Sequence, residues 1–229
     1  MAPGNYRISH YDSPEARGVD VAFMYRPDVF KLEGSAPIRT QIPSLPNFKT
    51  RDISTMWGTI DGEPFFFMVA HWPSRLGGKD ASEFKRIAVG EQMRRIADSV
   101  LKVNPCDQDR GDGRLQRRSD RSEHVGGAEC QTQGQGSSAG RFLQSVPRRA
   151  SCRYGNAGLR RRWNLFDNIV VSENLVNAKP GELRLVRAPG SKYYGNVFKR
   201  NYMIQREGQF KGYPLRTYVG NNFQGGYSD

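Results

Sequence analysis

Phe65-Phe66-Phe67-Met68-Val69-Ala70 is a continuous apolar run that leads directly into His71-Trp72-Pro73-Ser74-Arg75. A run of this kind predicts a strand buried on both faces, and we expect it at the centre of a sheet. Asp61-Gly62 precedes it, a dipeptide that tolerates the positive φ of a tight turn. Residues 53–60 form the other arm. The sequence therefore predicts a β-hairpin whose second strand ends at His71.

Three further segments show regular patterns. Residues 19–25 predict a strand buried on both faces, closed by Arg26-Pro27. Residues 82–103 repeat apolar side chains at helical spacing and end at Asn104-Pro105, which predicts a helix packed on a sheet. Residues 163–172 predict one more strand. Between the helix and this last strand the pattern fails.

Residues 106–162 differ in composition from the rest of the chain. They contain twelve Arg and no Lys, six acidic residues, and all three cysteines, with no apolar alternation. Such a composition predicts a disordered or loop-like stretch. A structureless loop of this length is uncommon inside a compact domain, so we do not expect residues 106–162 to belong to the proper reading of this protein.

The whole chain of 229 residues has a net charge of +12 and 37% hydrophobic residues. This charge suits a polyanionic partner, but a solvated basic surface is the commoner explanation. No apolar run approaches the roughly 20 residues of a transmembrane helix, and no signal peptide opens the sequence. The sequence leaves the cellular location open, and we expect a monomer.

His71 is the first candidate for chemistry. A histidine where a buried strand turns into a loop can face a cleft, donate to a phosphate oxygen and exchange a proton near neutral pH. An isolated histidine in this place is more often a partly buried structural residue. The motifs around it decide between the two.

Five short motifs occur in a fixed order along the chain. They are Arg17-Gly18-Val19-Asp20-Val21-Ala22, Thr50-Arg51-Asp52, Ala70-His71-Trp72-Pro73-Ser74-Arg75, Phe166-Asp167-Asn168-Ile169-Val170-Val171-Ser172 and Gly225-Gly226-Tyr227-Ser228-Asp229. Together they closely resemble the endonuclease/exonuclease/phosphatase family, of which pancreatic deoxyribonuclease is a member. The resemblance covers most of 6–105 and all of 163–229.

The resemblance implies an α+β fold, a four-layer α/β/β/α sandwich of two packed mixed sheets, incomplete in this chain. Residues 1–105 and 163–229 would be the N- and C-terminal parts of one phosphohydrolase domain, separated by 106–162. It also implies hydrolysis of a phosphoester, of nucleic acid or another class, with Mg²⁺ or Mn²⁺ as cofactor. Carboxylates bind such hard cations through oxygen, and the cation neutralises charge on the phosphoryl group.

Site residues follow from the same motifs. By the resemblance, His71 is a catalytic histidine that contacts the scissile phosphate, and Arg51 and Asn168 bind the phosphate. Asp167 lies near the metal and the histidines. Asp229 orients a histidine or ligates the metal.

Other positions depart from the family pattern. The metal-binding Glu and the closing His of the family have no counterpart, so we expect that the chain starts late and is truncated at both ends. No Gly-Asp-x-Asn motif follows the predicted helix. A one-base shift can turn Cys106–Arg121 into Ala-Ile-Arg-Ile-Val-Val-Met-Gly-Asp-Phe-Asn and onward, so we hypothesise a frameshift across 106–162. A tryptic peptide matching the printed residues would contradict it. Without these groups we expect impaired or absent hydrolysis.

Two other signals remain. Cys106, Cys130, Cys152 and His124 show no paired spacing, so we predict no zinc site. Basic and aromatic residues alternate over 179–218, a pattern that suits phosphate contact with base stacking or a half-buried surface face. This basic-aromatic segment supports the alternative function, a non-catalytic module that binds phosphate or nucleic acid.

Overall fold

The computed structural model describes residues 4–74, 77–78, 80–103, 130–131, 142–144, 157–159, 162–164, 168–191, 193–195 and 198–226. The chain forms two compact units, Met1–Glu129 and Cys130–Asp229. Each unit is treated separately below. No helix in the described part of the chain combines the length and apolar character that a membrane span requires.

The first unit contains two antiparallel sheets and one α-helix. Its elements are β1 Arg7–His10, β2 Ala22–Tyr25, β3 Phe30–Ile38, β4 Ile53–Ile60, β5 Glu63–Val69 and α1 Glu83–Val103. β1 pairs with β2, and the second sheet has the order β3-β4-β5. A 3₁₀ turn, Asp80–Ser82, leads into α1.

The predicted hairpin is confirmed. β4 and β5 are joined by Asp61 and Gly62, whose φ angles of 51° and 85° are those of a two-residue turn with two left-handed positions. The helix predicted over 82–103 is confirmed as α1, one residue shorter at its start.

Two predictions about burial are wrong. β5 lies at the edge of the described three-stranded sheet, and β4 occupies the centre instead. Most of β5 is half-buried, and β4 is the one described strand that pairs with it. The strand predicted over 19–25 is shorter, and Ala22 and Met24 face solvent while Phe23 and Tyr25 are half-buried. A two-stranded ribbon has one face against the protein and one against water, so its apolar run is not buried on both sides.

The two sheets of the first unit pack against each other. Phe30 of β3 makes edge-to-face contacts with Tyr25 of β2, at 5.8 Å between ring centres, and with Phe67 of β5, at 5.4 Å. Tyr11 also donates a hydrogen bond of 2.8 Å to the carbonyl oxygen of Ser35. Phe30 therefore packs against both sheets and lies at the centre of the apolar core between them.

Helix α1 is tied to the connection between β3 and β4. The amide of Gln92 donates to the carbonyl oxygen of Arg39 at 2.7 Å, and its oxygen accepts from the backbone N–H of Gln41 at 3.2 Å. Lys85 lies over the ring of Phe48 at 4.5 Å. These contacts hold the loop that leads into β4, and this loop carries the polar residues described below.

The second unit contains short strands. They are β6 Cys130–Gln131, β7 Phe142–Gln144, β8 Ala157–Leu159, β9 Arg162–Asn164, β10 Val170–Ser172, β11 Tyr218–Val219 and β12 Asn222–Phe223. β7 pairs parallel with β6 and antiparallel with β10, which makes a mixed sheet. The strand predicted over 163–172 is split into β9 and β10, with 165–167 outside the described residues. The α+β class is confirmed.

Candidate active site

Buried polar side chains mark one end of the β3-β4-β5 sheet. Five of them are each at most 6% exposed: Thr40, Thr50, Arg51, Asp52 and Ser54. We call these five residues the polar end. Buried polar groups are informative because burial penalises them unless a partner compensates, so such a group indicates a site more than a core.

Strand register explains how the polar end forms. Ile38 of β3 pairs with Ile53 of β4, and Ser54 pairs with Val69 of β5. One step beyond the first pair lie Arg39 and Asp52, and two steps beyond Val69 lies His71. The segments that carry Arg39, Asp52 and His71 therefore lie at the same end of the sheet. There His71 is exposed and Pro73 is buried.

Asp52 is the buried carboxylate of this end. Its Oδ1 lies 3.0 Å from Nε of Arg39, whose side chain is 55% exposed. That oxygen accepts no well-directed hydrogen bond from a described residue, so the contact is an ion pair rather than a linear hydrogen bond. Burial raises the pKa of Asp52, while Arg39 and the Thr40 amide oppose this and Asp20 adds to it.

This raised pKa predicts how stability depends on pH. The folded protein holds the Asp52 proton more tightly than the unfolded chain, so the stability that Asp52 contributes is present below about pH 4 and lost as pH rises through its folded pKa. We expect Asp52→Asn, which imitates the protonated group, to gain stability relative to the wild type between about pH 4 and 7. Thermal unfolding at several pH values measures the difference.

Asp28→Asn is the matched control. The Arg26 guanidinium lowers the pKa of Asp28, so that substitution alters the pH profile only below about pH 4. An Asp52→Asn difference that stays constant from pH 4 to 7 would contradict the expectation.

Arg51 differs from every other described arginine. It is 6% exposed, and its buried Nε has no hydrogen-bond partner. The Thr40 hydroxyl donates to its carbonyl oxygen at 3.2 Å, which fixes the backbone and leaves the guanidinium without an ion pair to a described residue. A buried cation without a counter-charge is costly, and an anion such as phosphate would compensate it.

The ribbon of β1 and β2 contributes carboxylates near this end. Nε2 of His10 lies 3.4 Å from Oδ2 of Asp20. Ser13 donates to Asp20 through its hydroxyl and, at 2.9 Å, through its amide, and these bonds lower the pKa of Asp20. His10, Asp12 and Asp20 are the one group of three ligand-type side chains close enough to share a metal ion in the described part of the chain.

The predicted site residues are distributed as follows. Arg51 and His71 lie at the same end of one sheet. Asn168 is exposed and precedes β10 in the second unit. Asp167 and Asp229 lie outside the described residues, as do Cys106, His124, Cys152 and the side chain of Cys130.

Sequence reasoning missed Arg39, Asp52, His10 and Asp12 as members of this region. Asp52 and Asp20 lie inside two of the quoted motifs, so that signal was present. Arg39 belongs to no motif, and strand pairing alone brings it to Asp52.

Comparison with known proteins identifies the family of the chain. The model of the Endonuclease/Exonuclease/phosphatase family matches residues 1–229. No curated protein matches, and no solved structure does. The α+β sandwich predicted from the resemblance is that of this family, whose members act on phosphoester bonds with divalent metals. With a match along its whole length, and with the histidine and arginine motifs at one sheet end, this chain belongs to the endonuclease/exonuclease/phosphatase family.

Proposed function

We propose that this protein is a metal-dependent phosphoester hydrolase by descent that binds a phosphoester at the polar end and hydrolyses it poorly. The observation that carries the proposal is Arg51, a buried guanidinium whose Nε has no partner among the described residues. Planar guanidinium groups bind phosphate oxygens through paired hydrogen bonds. A bound phosphate would therefore supply the counter-charge for the Arg51 guanidinium.

Each residue of the site has a role in this proposal. Arg51 donates to the non-bridging phosphate oxygens, and Arg39, held by Asp52, adds positive charge at the solvent side. His71 exchanges a proton with an oxygen of the reacting ester. For Asp167, Asn168 and Asp229 the proposal rests on the family resemblance of their motifs alone. A divalent cation, when bound, neutralises the charge that develops on the phosphoryl group.

The donor set available for that cation suits it. His10, Asp12 and Asp20 offer an imidazole and two carboxylates. Carboxylates bind Mg²⁺ and Mn²⁺, so the described residues are compatible with the cation of the family.

Impaired hydrolysis follows from the missing central motif. No Gly-Asp-x-Asn occurs between α1 and β10, so the chain has no such Asp and Asn to align the attacking water. We expect bis-p-nitrophenyl phosphate to release no more nitrophenol with the protein and Mg²⁺ or Mn²⁺ than with the metal alone. Cation-dependent release that His71→Ala abolishes would show a competent enzyme and contradict the impairment.

A second candidate function is supported by the basic-aromatic segment of the second unit. Several of its aromatic rings are more than half exposed: Phe198, Tyr202, Phe210 and Tyr218. Arg200 lies over the ring of Phe198 at 5.1 Å, and Arg187 over that of Tyr194 at 4.8 Å. Exposed rings beside arginines suit stacking on the bases of single-stranded nucleic acid. Salt-dependent retention of a labelled oligonucleotide without cleavage would favour this function over phosphoester turnover.

A further inference from the structure

Three ligand-type side chains, His10, Asp12 and Asp20, lie close together at one end of the ribbon of β1 and β2. His10 and Ala22 form the last pair of the ribbon, and Asp12 and Asp20 lie in the connection between its two strands. The ligand atoms of the three side chains all lie within 4.8 Å of one another.

The spacing of these atoms suits a shared cation. Two donors that each lie about 2.1 Å from one metal ion are roughly 3.0–3.5 Å apart in octahedral or tetrahedral geometry. His10 Nε2 and Asp20 Oδ2 are 3.4 Å apart. Asp12 is exposed, and its carboxylate lies within 4.8 Å of the ligand atoms of His10 and Asp20.

The negative charges of Asp12 and Asp20 are a reason to expect a cation at this end of the ribbon. Two carboxylates as close as those of Asp12 and Asp20 repel each other, and a bound cation would offset this repulsion. Asp12 has no hydrogen bond or ion pair to another described residue. Asp20 is oriented by Ser13, and it lies close enough to raise the pKa of the buried Asp52.

We propose that His10, Asp12 and Asp20 form a cation site that binds Mn²⁺ in preference to Mg²⁺. Mg²⁺ demands oxygen ligands in near-ideal octahedral geometry, whereas first-row transition cations accept imidazole nitrogen beside carboxylate. Non-specific attraction of cations is weak in a chain of net charge +12, so binding here reflects the local cluster. The site deepens the proposed function, since it would place a cation beside the polar end, but its existence does not depend on phosphate binding.

Calorimetric titration of the full chain with Mn²⁺ and with Mg²⁺ tests the site. We expect one Mn²⁺ to bind at least about tenfold more tightly than Mg²⁺. His10→Ala and Asp12→Asn should each weaken Mn²⁺ binding by at least about tenfold and reduce the discrimination. Asp98→Asn, a half-buried carboxylate paired with Arg94 on α1, is the matched control and should change neither.

Two results would overturn the proposal. One is equal affinity of the wild type for both cations, or binding of neither. The other is Mn²⁺ binding that survives His10→Ala and Asp12→Asn in variants whose circular dichroism is unchanged. The Arg51→Met variant separates the two proposals, because it should lose phosphate binding and keep its Mn²⁺ affinity.

Discussion

Arg51→Met is expected to make the protein more stable while abolishing its stabilisation by phosphate. Arg51 is 6% exposed, its Nε has no hydrogen-bond partner, and its guanidinium forms no ion pair with a described residue, so burial of this cation is not offset within the described part of the chain. Methionine keeps most of the packing of the aliphatic stem and removes the charge. Replacing buried ionic groups with apolar ones of similar volume commonly stabilises a protein by about 1–4 kcal/mol, and we expect a gain in this range.

The measurement is thermal unfolding with and without inorganic phosphate, with ionic strength matched by chloride. A ligand that binds only the folded state stabilises it by about 2.7 kcal/mol at a hundred times its dissociation constant. The wild type should show a phosphate-dependent rise in Tm that Arg51→Met lacks. Arg26→Met, which removes an exposed arginine paired with Asp28, controls for the loss of one positive charge. A variant that is less stable than the wild type and still responds to phosphate would refute the role of Arg51.

Phe30→Ala is expected to cause the largest loss of stability. Phe30 is 4% exposed and joins the β1–β2 ribbon to the larger sheet through Tyr25 and Phe67. Truncating a buried phenylalanine costs about 3–5 kcal/mol, from lost transfer energy and the cavity that remains. Since whole domains are stable by only about 5–15 kcal/mol, this substitution should unfold a substantial fraction of the protein at 37 °C.

Chemical denaturation at 25 °C measures this effect. Phe84→Ala is the matched control, because the ring of Phe84 on α1 is 42% exposed and should contribute less than about 1 kcal/mol. Equal losses for the two variants would contradict the central place of Phe30 in the core.

Local structure was largely readable from the chain. The turn at Asp61-Gly62 depends on the φ angles of two residues, and α1 depends on apolar spacing and the Asn104-Pro105 stop. The histidine and arginine motifs identified the family for the same reason, because each motif is a short continuous stretch.

The positions of β5 and of the site carboxylates could not be read in this way. β5 is as apolar as a central strand, yet which strand is central depends on the order of pairing across the sheet. Asp52 lies beside Arg39, and Asp20 beside His10, because the pairing of antiparallel strands places residues that are distant in sequence next to each other. Residue type and spacing thus determine turns, helices and motifs, whereas buried charge and its partners arise only when strands pair, since desolvation and ion pairing depend on neighbours in space.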